Sequence, residues 1–332
     1  MGLLEILPKI VEKTGWPWTE ETDVSIYDSN SKYPKITIVT PSYNQGQFIE
    51  ETIRSILLQN YPNIEYIIID GGSTDNTIDV IKKYEPWITY WVSEKDRGQS
   101  HAINKGFERA TGEIVNWINS DDSLRSNALH VVSSNLKEEA IYCVCGNANL
   151  DFMSPDKPNP LFRTTLLDKD INSHLANCSF SQPATFFKFS AYKQITPLEE
   201  SLHMNMDMFL WYKYICLFDL SSVRATDEIL CDVKCHADAK TIKQFKKSEV
   251  DKARIYQSLF KSLNPGFKSL LDLFPIMISE KVRNKINYTK LQTLYYRTHL
   301  YNVEFDGSIK GVKFNNLFNY IYLYARSLVS KG

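Results

Sequence analysis

The chain has 332 residues, 43% hydrophobic and 23% charged, an ordinary globular composition that suits one large domain or two smaller ones. No stretch approaches the ~18 uncharged apolar residues of a membrane-spanning helix, and the sequence carries no internal repeat or low-complexity segment. The net charge of −1 conceals an asymmetry: residues 242–332 hold 16 Lys and Arg against 6 Asp and Glu, leaving 22 against 33 in the rest. An acidic front half argues against a nucleic-acid partner there, whereas the basic tail could meet an anionic one. The N-terminal segment mixes acids with its apolar residues and lacks a signal-peptide layout. Ile6 stands where a myristoylation signal needs Ser or Thr. The expected compartment is the cytoplasm, and the six cysteines are expected there as reduced, mostly buried thiols. Cys231, Cys235 and His236 match no standard zinc spacing.

In chain order, Ile36–Thr40 reads as a first strand stopped by Pro41, and Glu50–Gln59 as a helix through Ile49, Ile53, Ile56 and Leu57. Ile64–Ile69 is a second buried strand ending at Asp70-Gly71-Gly72. Ser73-Thr74-Asp75 then supplies capping chemistry for a helix over Asn76–Tyr84. A third strand over Ile88–Val92, a helix over Gly98–Arg109 and a fourth strand over Gly112–Ile118 follow. Strands alternating with helices predict a parallel sheet with right-handed crossovers from about residue 35 to about residue 122. Beyond that point the alternation loosens. Ile141–Cys145 and Thr185–Phe189 read as strands, 151–180 as mostly loop, and Met206–Leu217 as an apolar helix. Past residue 242 the chain reads as helices rich in Lys and aromatics.

Three strand ends, Thr40–Asn44, Asp70–Asp75 and Asn119–Asp122, should be neighbours at the carboxyl edge of such a sheet, where open α/β folds bind ligands. Asp121-Asp122 offers two hard oxygen ligands suited to a divalent cation shared with substrate phosphates, or else caps the next helix. Neither a G-x-G-x-x-G fingerprint nor a P-loop is present. A segment with Asp96, Arg97, Gln99, His101 and Asn104 surrounds a helix start, whose free N–H groups suit an anion. Arg97 could meet a diphosphate or pair with Asp96, and Asn104 could equally cap or pack. Asp207 is the one acid in the apolar run Leu202–Cys216, a candidate base or a helix cap.

Val39-Thr40-Pro41-Ser42-Tyr43-Asn44, Ile69-Asp70-Gly71-Gly72-Ser73-Thr74-Asp75 and Asn119-Ser120-Asp121-Asp122 resemble, in order and spacing, the three motifs of family 2 glycosyltransferases. The resemblance covers roughly residues 35–240. It implies an α/β fold of the GT-A type, a Rossmann-like, mostly parallel sheet flanked by helices, with a C-terminal helical extension. The implied division is an N-terminal extension over 1–34, a catalytic domain over 35–241 with a nucleotide-sugar half at 35–122 and an acceptor half at 123–241, and a basic helical region over 242–332.

The implied activity is inverting sugar transfer from a nucleotide sugar, a UDP-sugar foremost, to a hydroxyl of a glycan or lipid-linked acceptor in cell-surface polysaccharide synthesis. Mg²⁺ or Mn²⁺ would be held by Asp122, with Asp121 and His236. Donor contacts would come from Pro41, Tyr43, Asn44, Asp70, Gly71, Asp96, Arg97, Asn104, Asn119, Asp121, His236 and Lys240. Gln182, Pro183 and His203 would face the acceptor, although Pro183 suits a structural turn equally well. Asp207 would be the general base. Two departures stand out: relatives often carry a second acid where this chain has Gly71, and a second acid where it has Phe209. A nucleotidyltransferase would want a basic Gly-rich loop after the first strand, which Tyr43-Asn44-Gln45-Gly46-Gln47 does not supply. A non-catalytic binding partner would have no need of intact Asp121-Asp122 and Asp207. The tail, with Phe267, Leu270, Leu271, Phe274, Ile278 and Val282 and then Leu317–Arg326, suits either packing on the catalytic domain or peripheral contact with an anionic membrane.

Overall fold

The computed structural model describes residues 2–151, 161–162, 170–176, 178, 180–236, 245–263, 276–287 and 289–291. Contacts divide the chain into two units: Met1–Asp168 with Ser179–Glu200 and Leu220–Ala239, and Lys169–Cys178 with Ser201–Asp219 and Lys240–Gly332.

In the first unit, strand β1 (Ile36–Ser42) is buried along its whole length, because it runs between β2 (Ile64–Asp70) and β4 (Ile114–Trp117). Near-continuous apolar strands of this kind belong in a parallel sheet covered on both faces. β3 (Tyr90–Ser93) extends the parallel set beyond β2. β1 continues through Pro41, which pairs with Ile69, so the proline does not end the strand as the sequence suggests. The rest of the sheet comprises β5 (Ser123–Leu124), β6 (Cys143–Asp151), β7 (Leu161–Phe162), β8 (Thr185–Lys188) and β9 (Val223–Lys234). The order is β3-β2-β1-β4-β8-β6-β9-β5, with β7 on β6. β8 lies antiparallel to both β4 and β6, β5 runs antiparallel to β9, and β6 and β9 are parallel. A mixed half is thereby joined to a wholly parallel half.

Helices α1 (Ile49–Leu57), α2 (Thr77–Tyr84), α3 (Gln99–Arg109), α4 (Ala128–Asn135), α5 (Ile171–Ala176) and α6 (Phe189–Ile195) follow in chain order. The core gathers Ile38, Ile53, Ile68, Ile81, Ile118 and Phe186 with Leu7 and Tyr27 of the N-terminal segment. Residues preceding β1 therefore share the core of the sheet. Cys143 and Cys145 are both fully buried, as expected, with their sulfurs 3.6 Å apart.

The second unit contains α5, α7 (Met206–Phe218), α8 (Phe245–Leu263) and α9 (Glu280–Arg283). α7 is apolar nearly all round, the mark of a buried helix. Tyr212 and Tyr256 both donate to the carbonyl of Leu175, at 2.7 and 2.9 Å. Lys281 and Lys285 bracket the buried carboxylate of Asp219 at 3.1 and 2.6 Å. Among the described residues, no helix is long and apolar enough to cross a membrane. Phe267, Leu270, Leu271 and Phe274, the run Leu317–Arg326, and Lys240 with Thr241 lie outside the described residues.

Candidate active site

The parallel strands end as the motif spacing requires. β1 delivers Tyr43 and Asn44, β2 delivers Asp70 to Asp75, and β4 leads through Ile118 to Asn119–Asp122, all in the first unit. Tyr43 is 61% exposed, a large aromatic presented to solvent at the carboxyl edge of the parallel strands. Asn44 adopts a left-handed backbone, φ 53°, which Asn tolerates better than most side chains. Its N–H donates to Ser73 Oγ at 2.7 Å and its side-chain oxygen accepts from Thr74 N at 2.8 Å, so the first two motifs are stitched together.

Asp70, a candidate donor contact, is bonded to the loop around it. Its buried carboxylate accepts from the backbone N–H groups of Gly72 and Ser73 at 3.0 and 2.8 Å, and from the hydroxyls of Ser73 and Ser93 at 2.5 and 2.6 Å. Four donors occupy it, so Asp70 shapes the loop. The glycine that follows has a visible reason. A Cβ on Gly71 would fall 2.8 Å from Asp96 Oδ2, so the absent side chain leaves room for the Asp96 carboxylate. Asp96 is itself held through Oδ1, which accepts from Gly98 N at 2.8 Å, and Gly98 takes φ 115°, a conformation that favours glycine.

Arg97 pairs with Glu200, at 2.8 and 3.1 Å through both carboxylate oxygens, and not with Asp96. The guanidinium stays well exposed, so the pair is the weak, solvent-screened kind. Asn104, another candidate donor contact, donates through its amide to Leu198 O at 3.0 Å and accepts from Leu198 N at 2.8 Å, so both its polar atoms bond the backbone of one residue. Gln182 and Pro183 are knitted to β4 in the same way. Gln182 donates to Asn116 Oδ1 and Trp117 O at 3.0 and 2.9 Å, and Asn116 donates to Pro183 O at 3.0 Å, which gives this turn a structural task.

The acidic pair is the electrostatic centre of the unit. Burial, and then the charge of Asp121, push the Asp122 carboxyl well above the ordinary carboxylate range, against the opposing effect of Asn119 and Lys234. Asn119 donates to Asp122 Oδ2 at 3.0 Å and accepts from Gln99, the first residue of α3, at 2.7 Å. His236, at the end of β9, sets Nε2 3.1 Å from Asp121 Oδ2, and its ring lies 4.5 Å from that of Phe48. Its Nδ1 is buried without a hydrogen-bond partner among the described residues. Two crowded carboxylates and an imidazole have the donor chemistry for a divalent cation, whose charge would relieve the repulsion between Asp121 and Asp122. Among the described residues no three His, Cys, Asp or Glu side chains are placed to hold a metal ion together. Mg²⁺ is usually held by only one or two carboxylates besides substrate phosphates.

Two residues of this neighbourhood, Lys234 and Thr52, escape the sequence. Lys234 is buried and ion-paired to Glu51 of α1 at 2.7 Å, and Gln99 and Thr52 hold the acidic loop. Lys234 and His236 arrive together at the end of β9. That strand lacks a clean alternation because its pairing with β6 shifts register between Cys145 and Ala148.

Asp207 and His203 belong to the second unit. The helix cap position of α7 falls to Asn205, and Asp207 lies inside the first turn, where Oδ1 accepts from Met208 N at 2.8 Å. It is half-buried, and burial raises its pKa above that of an ordinary aspartate. His203 is exposed, and its backbone N–H donates to Asp251 at 2.8 Å.

Comparison with known proteins agrees with this geometry. Residues 37–196 match the model of glycosyl transferase family 2. An uncharacterized glycosyltransferase of Rickettsia typhi is 30% identical over 223 residues, 64% of this chain and 67% of that protein. A putative teichuronic acid biosynthesis glycosyltransferase of Bacillus subtilis, TuaG, is 39% identical over 99 residues, 29% of this chain. The chain spans only 39% of that second relative's length. Among solved structures, S. aureus TarS 1–349 in complex with UDP superposes with a TM-score of 0.56 at 19% identity, over 87% of this chain and 78% of that one. The ordered motifs, the mixed sheet of GT-A type and these matches agree: the chain belongs to glycosyl transferase family 2.

Proposed function

We propose that the protein transfers a sugar from a nucleoside-diphosphate sugar to an acceptor hydroxyl with inversion at the anomeric carbon. The observation that carries this reading is the acidic pair with His236 at the carboxyl edge of the parallel strands. Asp122 and Asp121, with His236, would hold Mg²⁺ or Mn²⁺, which when bound supplies positive charge to the departing diphosphate. Tyr43 offers an exposed aromatic face for the base, and Asp96, lying over Gly71, offers a carboxylate acceptor for a base or ribose donor. Arg97 adds positive charge once it leaves Glu200, a release that costs little for a solvent-exposed pair. Support for a uridine nucleotide comes from the TarS structures, solved with UDP and with UDP-GlcNAc.

Asp207 is the general base in this reading. A raised pKa makes it a stronger base than an ordinary aspartate, suited to taking the proton of an attacking hydroxyl while the glycosidic bond to the diphosphate breaks. Inversion follows when that hydroxyl attacks the face opposite the leaving group, by analogy with inverting glycosidases. A glycan or lipid-linked acceptor in cell-surface polysaccharide synthesis, and contact of the basic C-terminal region with an anionic membrane, complete the proposal.

The test is a screen of UDP-, GDP- and dTDP-sugars for donor hydrolysis and transfer, repeated with Asp207→Asn. One donor should be turned over, and the variant should bind that donor with near-wild-type affinity yet lose transfer by at least about a hundredfold. The acid limb of kcat/KM should lie above the ordinary aspartate range. Wild-type turnover by Asp207→Asn would remove the assignment of the base.

A further inference from the structure

The segment before β1 touches the acidic loop itself. Residues 121–126 are fixed on one side by the β5–β9 ladder, in which Ser123 pairs with Asp232 and Leu124 with Cys231. On the other side, side chains of α1 and the turn after it bind the loop backbone. Thr52 Oγ1 donates to Asp122 O at 2.7 Å, Leu124 N donates to Ser55 Oγ at 3.1 Å, and Gln59 Nε2 donates to Arg125 O at 2.8 Å. The N-terminal segment supplies the rest. Trp16 Nε1 donates to Leu124 O at 2.7 Å, and Thr22 Oγ1 accepts from Asn127 N at 3.0 Å.

The segment is anchored for this task. Arg54, 1% exposed, donates to the carbonyls of Pro8, Pro17 and Trp18 at 2.9, 2.9 and 3.0 Å, and makes no ion pair among the described residues. Thr22 N donates to Leu58 O at 2.9 Å, and Asn60 donates to Thr22 O at 2.8 Å. Trp16 and Thr22 thus hang from α1 and the turn after it, and grip the loop two to five residues beyond Asp122.

We propose that Trp16 is a positioning residue for the acidic pair: its indole N–H fixes the Leu124 carbonyl and with it the placement of Asp121 and Asp122 toward a cation and diphosphate. This rests on the reading of that pair given above. Outer partners that orient metal-binding carboxylates commonly change affinity by roughly 10–100-fold when removed. Loss of one N–H two residues from the ligand should fall at the low end of that range.

The experiment is a titration of Mn²⁺ into the full chain with saturating UDP, following free Mn²⁺ by electron paramagnetic resonance, for wild type, Trp16→Phe and Trp18→Phe. Trp18 is the control: it is buried in the same segment, and its ring lies against Lys13 and Arg54. Trp16→Phe should bind Mn²⁺ about tenfold more weakly, with Trp18→Phe within about twofold of wild type. Should phenylalanine at 16 unfold the segment, 3-benzothienylalanine incorporated there keeps the bicyclic ring and lacks only the donor, and the same weakening is expected. Wild-type uptake of Mn²⁺ that is unchanged in both position-16 variants, or equally weakened in Trp18→Phe, overturns the role of Trp16 and leaves the metal reading standing. No Mn²⁺ uptake by wild type with UDP overturns the metal reading and this role with it.

Discussion

Replacing Arg54 by Met tests how firmly the N-terminal segment belongs to the sheet. The methionine keeps most of the side chain's length and loses all its donors. Three carbonyls then lose this donor, and the Tyr84 hydroxyl, 3.3 Å away, keeps only its bond to Glu50. The carbonyl of half-buried Pro8 can turn to water, whereas Pro17 and Trp18 are buried. A buried acceptor left without a donor costs about 1–3 kcal/mol, so two of them give roughly 2–6 kcal/mol. Relief from burying a guanidinium without a carboxylate offsets part of this. A net loss of about 3 kcal/mol is expected, a large share of the ~5–15 kcal/mol that holds a domain together. Chemical denaturation followed by tryptophan fluorescence measures it, and limited proteolysis should cut the segment before β1 faster in the variant. A loss under about 1 kcal/mol with unchanged protease resistance would refute the reasoning.

Three further outcomes are expected. Gly71→Asp forces the Asp96 carboxylate aside, since a Cβ there meets Asp96 Oδ2 at 2.8 Å. Donor KM should rise about tenfold while stability changes by less than ~1 kcal/mol, because only the end of a half-buried side chain must move. Glu65 is buried, which works to raise its pKa, but hydrogen bonds from Thr111 N, Thr111 Oγ1 and Thr37 Oγ1 at 2.7, 2.6 and 2.6 Å outweigh that and lower it. A lowered folded pKa contributes stability above the unfolded value of ~4.3 that is lost as pH falls through the folded one. Glu65→Gln should therefore be about 1–2 kcal/mol less stable at pH 7, and thermal melts should show the two proteins converging toward pH 3. Glu200→Gln, which weakens the solvent-screened pair with Arg97, should leave stability within about 0.5 kcal/mol of wild type, and thermal denaturation measures this.

The parallel half of the fold was legible because its strands are short apolar runs bounded by Gly, Pro and Asp. Ile64–Asp70 needs no context to be read as a buried strand. β9 was not legible: Thr226, Asp227 and Glu228 interrupt it, and its partner β6 carries a bulge that breaks any period of two. That omission concealed Lys234 and the route by which His236 reaches Asp121. In the candidate site, residue types and spacing identified which loops converge, but not which polar atoms the protein occupies itself. Asp70, Asn104 and Gln182 look like ligand contacts in one dimension, and in three each is also bonded to backbone or to neighbouring side chains. The Trp16 to Leu124 bond spans 108 positions, and no local pattern could reveal it.

The account turns on whether Asp121 and Asp122 hold a cation for a nucleoside diphosphate. Calorimetric titration of the wild type and Asp122→Asn with UDP, GDP and dTDP, each with Mn²⁺ and each with EDTA, measures this directly. At least one nucleotide should bind the wild type about tenfold or more tightly with the metal, and the variant should lose that enhancement. Equal affinity in Mn²⁺ and EDTA for every nucleotide would contradict the account.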